Sequence, residues 1–285
     1  MYNVPMPKRR RKRVHTQWRV TIFTIILAIL SSQLLIHYLE NRTLERQSQL
    51  VTVDYPYPTN NYDWNALQRN EQFLFYEDEN YTSRIGIDVS SHQKDIDWAQ
   101  VKQAGISFAF IRAGYRGYST GSLNKDEKFD QNMEGAISNG IDVGIYVFSQ
   151  AVTIEEAAQE ADLAIEAAKN YNLQLPIVFD LEEGVAEVTQ RVSSIDRQEK
   201  TQMAVTFMNR VREAGYQPMI YGSTGLMESL FDLQYLQDYP FWVAEYDSSI
   251  PHYVYEFDYW QYTSTATLPG ISTNVDMNIQ FIPKN

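Results

Sequence analysis

From Ile85 onward, short apolar runs alternate with stretches of helical periodicity, and this alternation constrains the fold more than any other feature. The runs IGIDVS (85–90), SFAFIRAG (107–114), VGIYVFS (143–149), LPIVFDLE (175–182) and PMIYG (218–222) read as buried strands. Between them, residues 95–103, 126–138, 153–169 and 194–214 read as helices. In the third, Ile154, Ala157, Ala161, Ile165 and Ala168 share one face, and Thr153 with Glu156 forms a capping box. FWVAEY (241–246), FDYWQYT (257–263) and STNVDMNI (272–279) add three strands joined by loops. Strands separated by helices form parallel βαβ units, and eight of them over this length suit a closed barrel. The expected class is α/β. No Gly-x-Gly-x-x-Gly follows the first strand, so a dinucleotide fold has no support.

The amino end is of another kind. Residues 1–19 carry seven basic side chains, including Lys8 to Arg13, and no acidic one. The next twenty residues, 20–39, contain no Asp, Glu, Lys or Arg. As a helix they span about 30 Å, one bilayer core. Three readings fit: an uncleaved signal anchor with a cytoplasmic tail, a cleaved signal peptide, and a buried helix behind a nuclear-type basic run. The basic block directly before an uncharged apolar segment, and the lack of a small-x-small cleavage site after it, favour the anchor. The expected organisation is a cytoplasmic tail (1–19), a transmembrane helix in the lipid bilayer (20–39), an extracytoplasmic tether (40–84) and a catalytic barrel (85–285). Within the tether, residues 65–76 read as a short helix. The net charge of −12, which becomes −19 once the tail is set aside, argues against a chain-wide nucleic-acid binder. The absence of Cys removes disulfides, thiolate metal sites and cysteine nucleophiles.

A barrel of this kind places its chemistry at the carboxyl ends of the strands. Those ends carry Asp88, Arg112, Tyr146, Phe148, Ser149, Asp180, Glu182, Tyr221, Trp242, Ala244, Tyr246, Trp260, Gln261, Tyr262 and Asp276. Asp180 and Glu182 stand at i and i+2 of one strand and therefore share a face. Two carboxyls so close repel when both ionise, which raises one pKa. A protonated carboxyl beside an ionised one is what glycoside hydrolysis uses. The aromatic side chains suit the apolar faces of pyranose rings, although each one singly also reads as core. Glu183 breaks the alternation and points elsewhere. The histidines show no metal spacing; a cation site made only of Asp88, Asp180, Glu182 and Asp276 is the weaker alternative. Neither a Gly-x-Ser-x-Gly elbow nor a phosphate loop is present, and no cofactor is implied.

The residues 86–115, 126–151, 175–183, 219–223, 241–246 and 260–278, in this order, resemble the glycoside hydrolase family 25 lysozymes, the muramidases of the Chalaropsis type. The resemblance implies a modified, irregular (β/α) TIM-like barrel that cleaves the β-1,4 bond between N-acetylmuramic acid and N-acetylglucosamine in peptidoglycan glycan strands. It implies Glu182 as proton donor, with Asp88, Asp180 and Asp276 as the other family carboxylates. Tyr146, Phe148, Tyr221, Trp242 and Tyr246 correspond to sugar contacts. His92 stands where an aromatic is common in the family, and Phe148 follows Val147 where a His is often seen. No separate wall-binding repeat is visible, so targeting would rest on the anchor. Two rival readings remain: an inactive peptidoglycan-binding scaffold, and a chitinase-like glycosidase.

Overall fold

The computed structural model describes residues 57–183 and 191–284. The expected basic tail, the apolar segment 20–39 and the first part of the tether lie outside the described residues. Among the described residues no helix is long and apolar enough to cross a membrane.

The strands are β1 (Leu67–Asn70), β2 (Phe73–Tyr76), β3 (Tyr81–Val89), β4 (Phe108–Arg116), β5 (Leu123–Lys125), β6 (Asp142–Ser149), β7 (Ile177–Leu181), β8 (Pro218–Ser223), β9 (Phe241–Ala244), β10 (Tyr259–Ala266) and β11 (Val275–Pro283). The helices are α1 (Trp98–Gln103), α2 (Phe129–Ser138), α3 (Ile154–Ala168), α4 (Arg197–Glu213) and α5 (Thr224–Leu230). Eight strands close a barrel in the order β3-β11-β10-β9-β8-β7-β6-β4, with β4 returning to β3 and the short β5 added on β4. Seven of the eight run parallel, but β11 is antiparallel to both its neighbours, which corrects the expectation of a wholly parallel barrel. The cause is local. The link from β10 to β11 spans only residues 267–274, too short for a crossover helix, so the strand must turn back.

Every barrel strand alternates between two environments. Ile87, Ile111, Ile145, Phe179, Ile220, Val243 and Met277 face outward into the cluster shared with Phe129, Ala161 and Phe207 of the helices. Phe108, Phe110, Val178, Met219, Trp242 and Tyr259 fill the interior. Phe110 and Trp242 come from strands that are not neighbours, yet their rings stack at 4.6 Å across the barrel. Gly86 and Gly144 make room for this layer: a Cβ on Gly86 would stand 2.3 Å from the Phe108 ring, and one on Gly144 2.6 Å from that of Phe110. Helix starts follow their caps. Asp196 and Glu199 make a reciprocal box before α4, whereas Thr153 caps α3 singly because Glu156 turns to the Val152 N–H and to Arg191.

The stretch 57–84 is packed structure, not tether. Residues 65–76, expected as a helix, form a short 3-10 turn (Trp64–Ala66) and the β1–β2 hairpin. Phe73 to Tyr76 alternate in burial, a period of two that a four-residue apolar run conceals. Ahead of the hairpin, the Tyr62 ring lies 4.3 Å from Phe281 and 5.2 Å from Phe257, and its hydroxyl donates to the Phe257 carbonyl. Leu74 and Tyr76 join the outer core. Removing such an aromatic side chain forfeits burial and ring contacts together. Tyr62→Ala is expected to lower stability by roughly 2–4 kcal/mol in urea unfolding of the full chain. A change within about 0.5 kcal/mol, the range of ordinary surface substitutions, would mean that this segment does not brace the barrel.

Candidate active site

The inward positions at one end of the barrel bring polar groups together. Asp88 of β3 is buried, and its Oδ2 accepts from Gln261 Nε2 at 2.7 Å and from Asn278 Nδ2 at 2.8 Å. Both amides are oriented from behind. Gln261 Oε1 accepts from the hydroxyls of Tyr221 (2.7 Å) and Tyr246 (2.5 Å), and Asn278 Oδ1 accepts from the Trp242 indole at 2.8 Å. Asp276 stands directly across the ladder from Asp88, and the two carboxyls are hydrogen-bonded. Burial, together with the Asp88 charge, pushes the Asp276 carboxyl up to about 9, so this pair holds one proton at neutral pH.

Asp180 and Glu182 form the second pair. Asp180 is 5 % exposed and Glu182 half-buried at the open side of the strand end. Burial raises both carboxyls above their ordinary values; the hydrogen bond between them raises Asp180 further and opposes the rise at Glu182, so the proton of the resting pair lies on Asp180. Arg112 opposes the rise at Asp180, and the Tyr221 hydroxyl stands within hydrogen-bond reach of Glu182. One Asp180 oxygen, Oδ1, is buried without a hydrogen-bond partner, a cost typical of a site built for reaction. Glu183 points away to Lys200 of α4, at 2.5 Å, as the broken alternation predicts.

The remaining expected residues divide. Tyr146 is half-buried; burial raises its hydroxyl pKa, Arg112 opposes the rise, and Asp88, Asp180 and Asp276 add to it, which puts it among the carboxyls. Phe148 sits edge-to-face with Tyr118 at 5.4 Å, and Tyr246 is 42 % exposed at the rim. Arg112 is held in an ion pair with buried Asp126 at 2.7 Å and donates to Ser91 Oγ at 3.2 Å, so it acts on the site mainly through its charge. Trp242 is 2 % exposed beneath the carboxyls and positions Asn278; it offers no free face to a sugar. Trp260 is not in the site. It is fully buried in the outer cluster with its indole on the Glu245 carbonyl, because on β10 the inward positions are Tyr259 and Gln261. Asn278 and Tyr118 are site participants that the sequence does not mark, and Gln261, one of the strand-end residues, gains its role only here. Strand parity singles out both amides, since Asn278 is two residues from Asp276 and Gln261 two from inward-facing Tyr259. Tyr118, whose hydroxyl responds to Glu182 and Asp180, follows β4 and was open to the same strand-end search. Among the described residues no cluster of His, Asp and Glu is arranged to hold a metal ion.

The sequence profile of glycosyl hydrolases family 25 matches residues 87–271. The chain belongs to this family. It is 31% identical over 207 residues to Lysozyme M1 of Streptomyces globisporus, an alignment covering 68% of this chain and 66% of that protein. The crystal structure of the bacterial lysozyme from Streptomyces coelicolor is 29% identical, with a TM-score of 0.56 over 68% of this chain and 90% of that one. The modular autolysin LytC from Streptococcus pneumoniae, solved in complex with a synthetic peptidoglycan ligand, shares the fold at 24% identity and a TM-score of 0.62, covering 75% of this chain and 52% of that one. This chain thus spans about two thirds of Lysozyme M1 and about half of the autolysin.

The Asp88–Asp276 pair has a consequence for stability. The Asp276 carboxyl is raised from 3.8 to about 9, so the folded chain keeps a proton that the unfolded chain releases near pH 4. The stability this group contributes is whole below that pH and is lost as the pH rises toward 9. Asp276→Asn removes the titration, so its unfolding midpoint is expected to fall less between pH 5 and 9 than that of the parent. Parallel midpoint-against-pH curves for the two proteins would contradict a proton held at this position.

Proposed function

We propose that this chain is a Chalaropsis-type N-acetylmuramidase that hydrolyses the β-1,4 bond between N-acetylmuramic acid and N-acetylglucosamine in peptidoglycan. The observation that carries the reading is the Asp180–Glu182 pair sharing one proton in the open end of a family 25 barrel. The lysozyme relatives and the peptidoglycan-bound fold relative support the same substrate class.

Glu182, the more accessible of the pair, takes the shared proton from Asp180 across their hydrogen bond and delivers it to the leaving glycosidic oxygen. The pair is then left doubly charged beside a sugar that is gaining positive charge. Asp180 stabilises that charge, at the ring or at a participating acetamido group. The Asp88–Asp276 pair adds fixed negative potential, held in place by amides that need no reorganisation during the reaction. Tyr118, Tyr146, Phe148 and Tyr246 supply the aromatic and hydroxyl surface for the sugar rings.

Glu182→Gln is expected to lower kcat by about 10²–10⁴-fold, the usual worth of a positioned acid. Purified peptidoglycan is digested and new reducing ends on muramic acid are counted, with circular dichroism confirming the fold. Failure of the parent chain to release muropeptides from either acetylated or deacetylated wall would sink the activity.

For residues 1–39 the same reading is a single-pass anchor, with the basic tail in the cytoplasm and the barrel outside the membrane, supported by the seven basic residues beside twenty uncharged ones. In that position the enzyme would remodel or locally open the wall. A reporter fused after Asn285 is expected to be active only outside the cytoplasm; activity only inside would refute the topology.

A further inference from the structure

Next to the residues of the cleft lies a second cavity of about 460 Å³ that the family-matched segment does not build alone. One wall belongs to the barrel. Asp247 and Ser248 directly follow the site residue Tyr246, and Thr263 and Thr265 follow Gln261 on β10. The facing wall is the β1–β2 hairpin, which contributes Arg69 and Gln72 and precedes residues 87–271.

Both walls are fixed. The Gln72 side chain donates to the Thr267 carbonyl at 2.8 Å and accepts from the Thr267 N–H at 3.4 Å. The Arg69 guanidinium lies over the Tyr262 ring, 6.0 Å from its centroid. Across the cavity, Glu245 accepts from Thr224 Oγ1 and from the His252 N–H, each at 2.8 Å, which ties down the loop after β9. In that loop Asp247 is held at φ +56°, a conformation that non-glycine residues seldom adopt and that marks positions fixed by their surroundings.

The chemistry of the lining selects the ligand. Arg69 is its one cation and Asp247 its one anion; the other polar groups are hydroxyls and an amide. Its only aromatic, Tyr262, is 3 % exposed, so no ring face is open for a pyranose to stack on. The cavity therefore suits a hydrogen-bonding ligand that carries both a carboxylate and an ammonium group, the former matched to the planar fork of an arginine. Resting on the muramidase reading, such a ligand is already attached to the substrate, because the lactyl groups of peptidoglycan carry short peptides with free carboxylates and amines. We propose that this cavity binds the peptide branch of the strand held in the cleft, Arg69 taking a peptide carboxylate and Asp247 a peptide ammonium. The hairpin then makes the enzyme a reader of peptide-bearing strands.

The test uses the full chain and its Arg69→Gln and Asp247→Asn variants on two substrates: glycan strands with their peptides, and the same strands stripped by an amidase. On peptide-bearing strands each variant is expected to raise KM about 3- to 10-fold, with kcat unchanged, as for the loss of one charge-assisted contact. On stripped strands the variants are expected to match the parent. Unchanged KM on peptide-bearing strands, or an equal rise on both substrates, would overturn the proposal. Calorimetry with a synthetic stem tetrapeptide gives a readout independent of catalysis: the parent binds and Arg69→Gln binds about 3- to 10-fold more weakly. Tetrapeptide binding without hydrolysis of either substrate would remove the muramidase reading and leave the cavity's ligand in place. Hydrolysis of both substrates with no tetrapeptide binding and equal KM would do the reverse.

Discussion

Burying the Asp88 carboxylate inside a closed barrel requires donors, and much of the site follows from how they are supplied. An isolated charge in that position is prohibitively costly, so it is met by two side-chain amides and by a protonated neighbour, Asp276. An amide can present either end, and here each is oriented by a group behind it: Trp242 for Asn278, Tyr221 and Tyr246 for Gln261. The aromatic layer within the barrel and the carboxyl layer above it are consequently one connected structure spanning β3, β8, β9, β10 and β11. Tyr221 extends the connection to Glu182, so the two carboxyl pairs share a wall of hydrogen bonds as well as a field.

The reversal of β11 belongs to the same arrangement. In a parallel strand the residues at the open end of the barrel are the last ones. Asp276 is the second residue of β11, and in a parallel orientation it would lie at the opposite end. Running antiparallel, β11 sets Asp276 beside Asp88 and Asn278 beside Gly86. A short β10–β11 connection that looks like an economy of sequence is what carries the fourth carboxyl and the second amide to the open end.

The barrel and its four carboxyls were legible because both rest on local rules: period-two burial, strand–helix alternation, and carboxylates at strand ends. The direction of β11 was not, since strand direction depends on what the connecting segment can span. Trp260 stands at a strand end as Gln261 does, but adjacent residues on a strand face opposite ways, and its side chain turns to the outer core. The role of the two amide donors is hidden in the sequence for a related reason. Gln and Asn acquire a role only from the carboxylate they meet, and that meeting brings together residues separated by 173 and 190 positions. The hairpin was read as helix and tether because residues 57–84 are polar on average, and their apolar positions become meaningful only against the surface they cover.

That surface is where the barrel lacks helices. Between β9 and β10, and between β10 and β11, the chain forms loops, so the outward faces of β10 and β11 have no helix of their own to cover them. The amino-terminal segment covers this side: Tyr62 on Phe257 and Phe281, Leu74 and Tyr76 in the outer core, Arg69 over Tyr262. Burial by a hairpin differs from burial by a helix in what it leaves at the rim. A helix would end its apolar stripe there, whereas the hairpin turn projects Arg69 and Gln72 toward the loop after β9. The two departures from a regular barrel therefore complement each other: the short connections that leave β10 and β11 bare also leave the place where an added segment both seals the core and lines the cavity behind Tyr246.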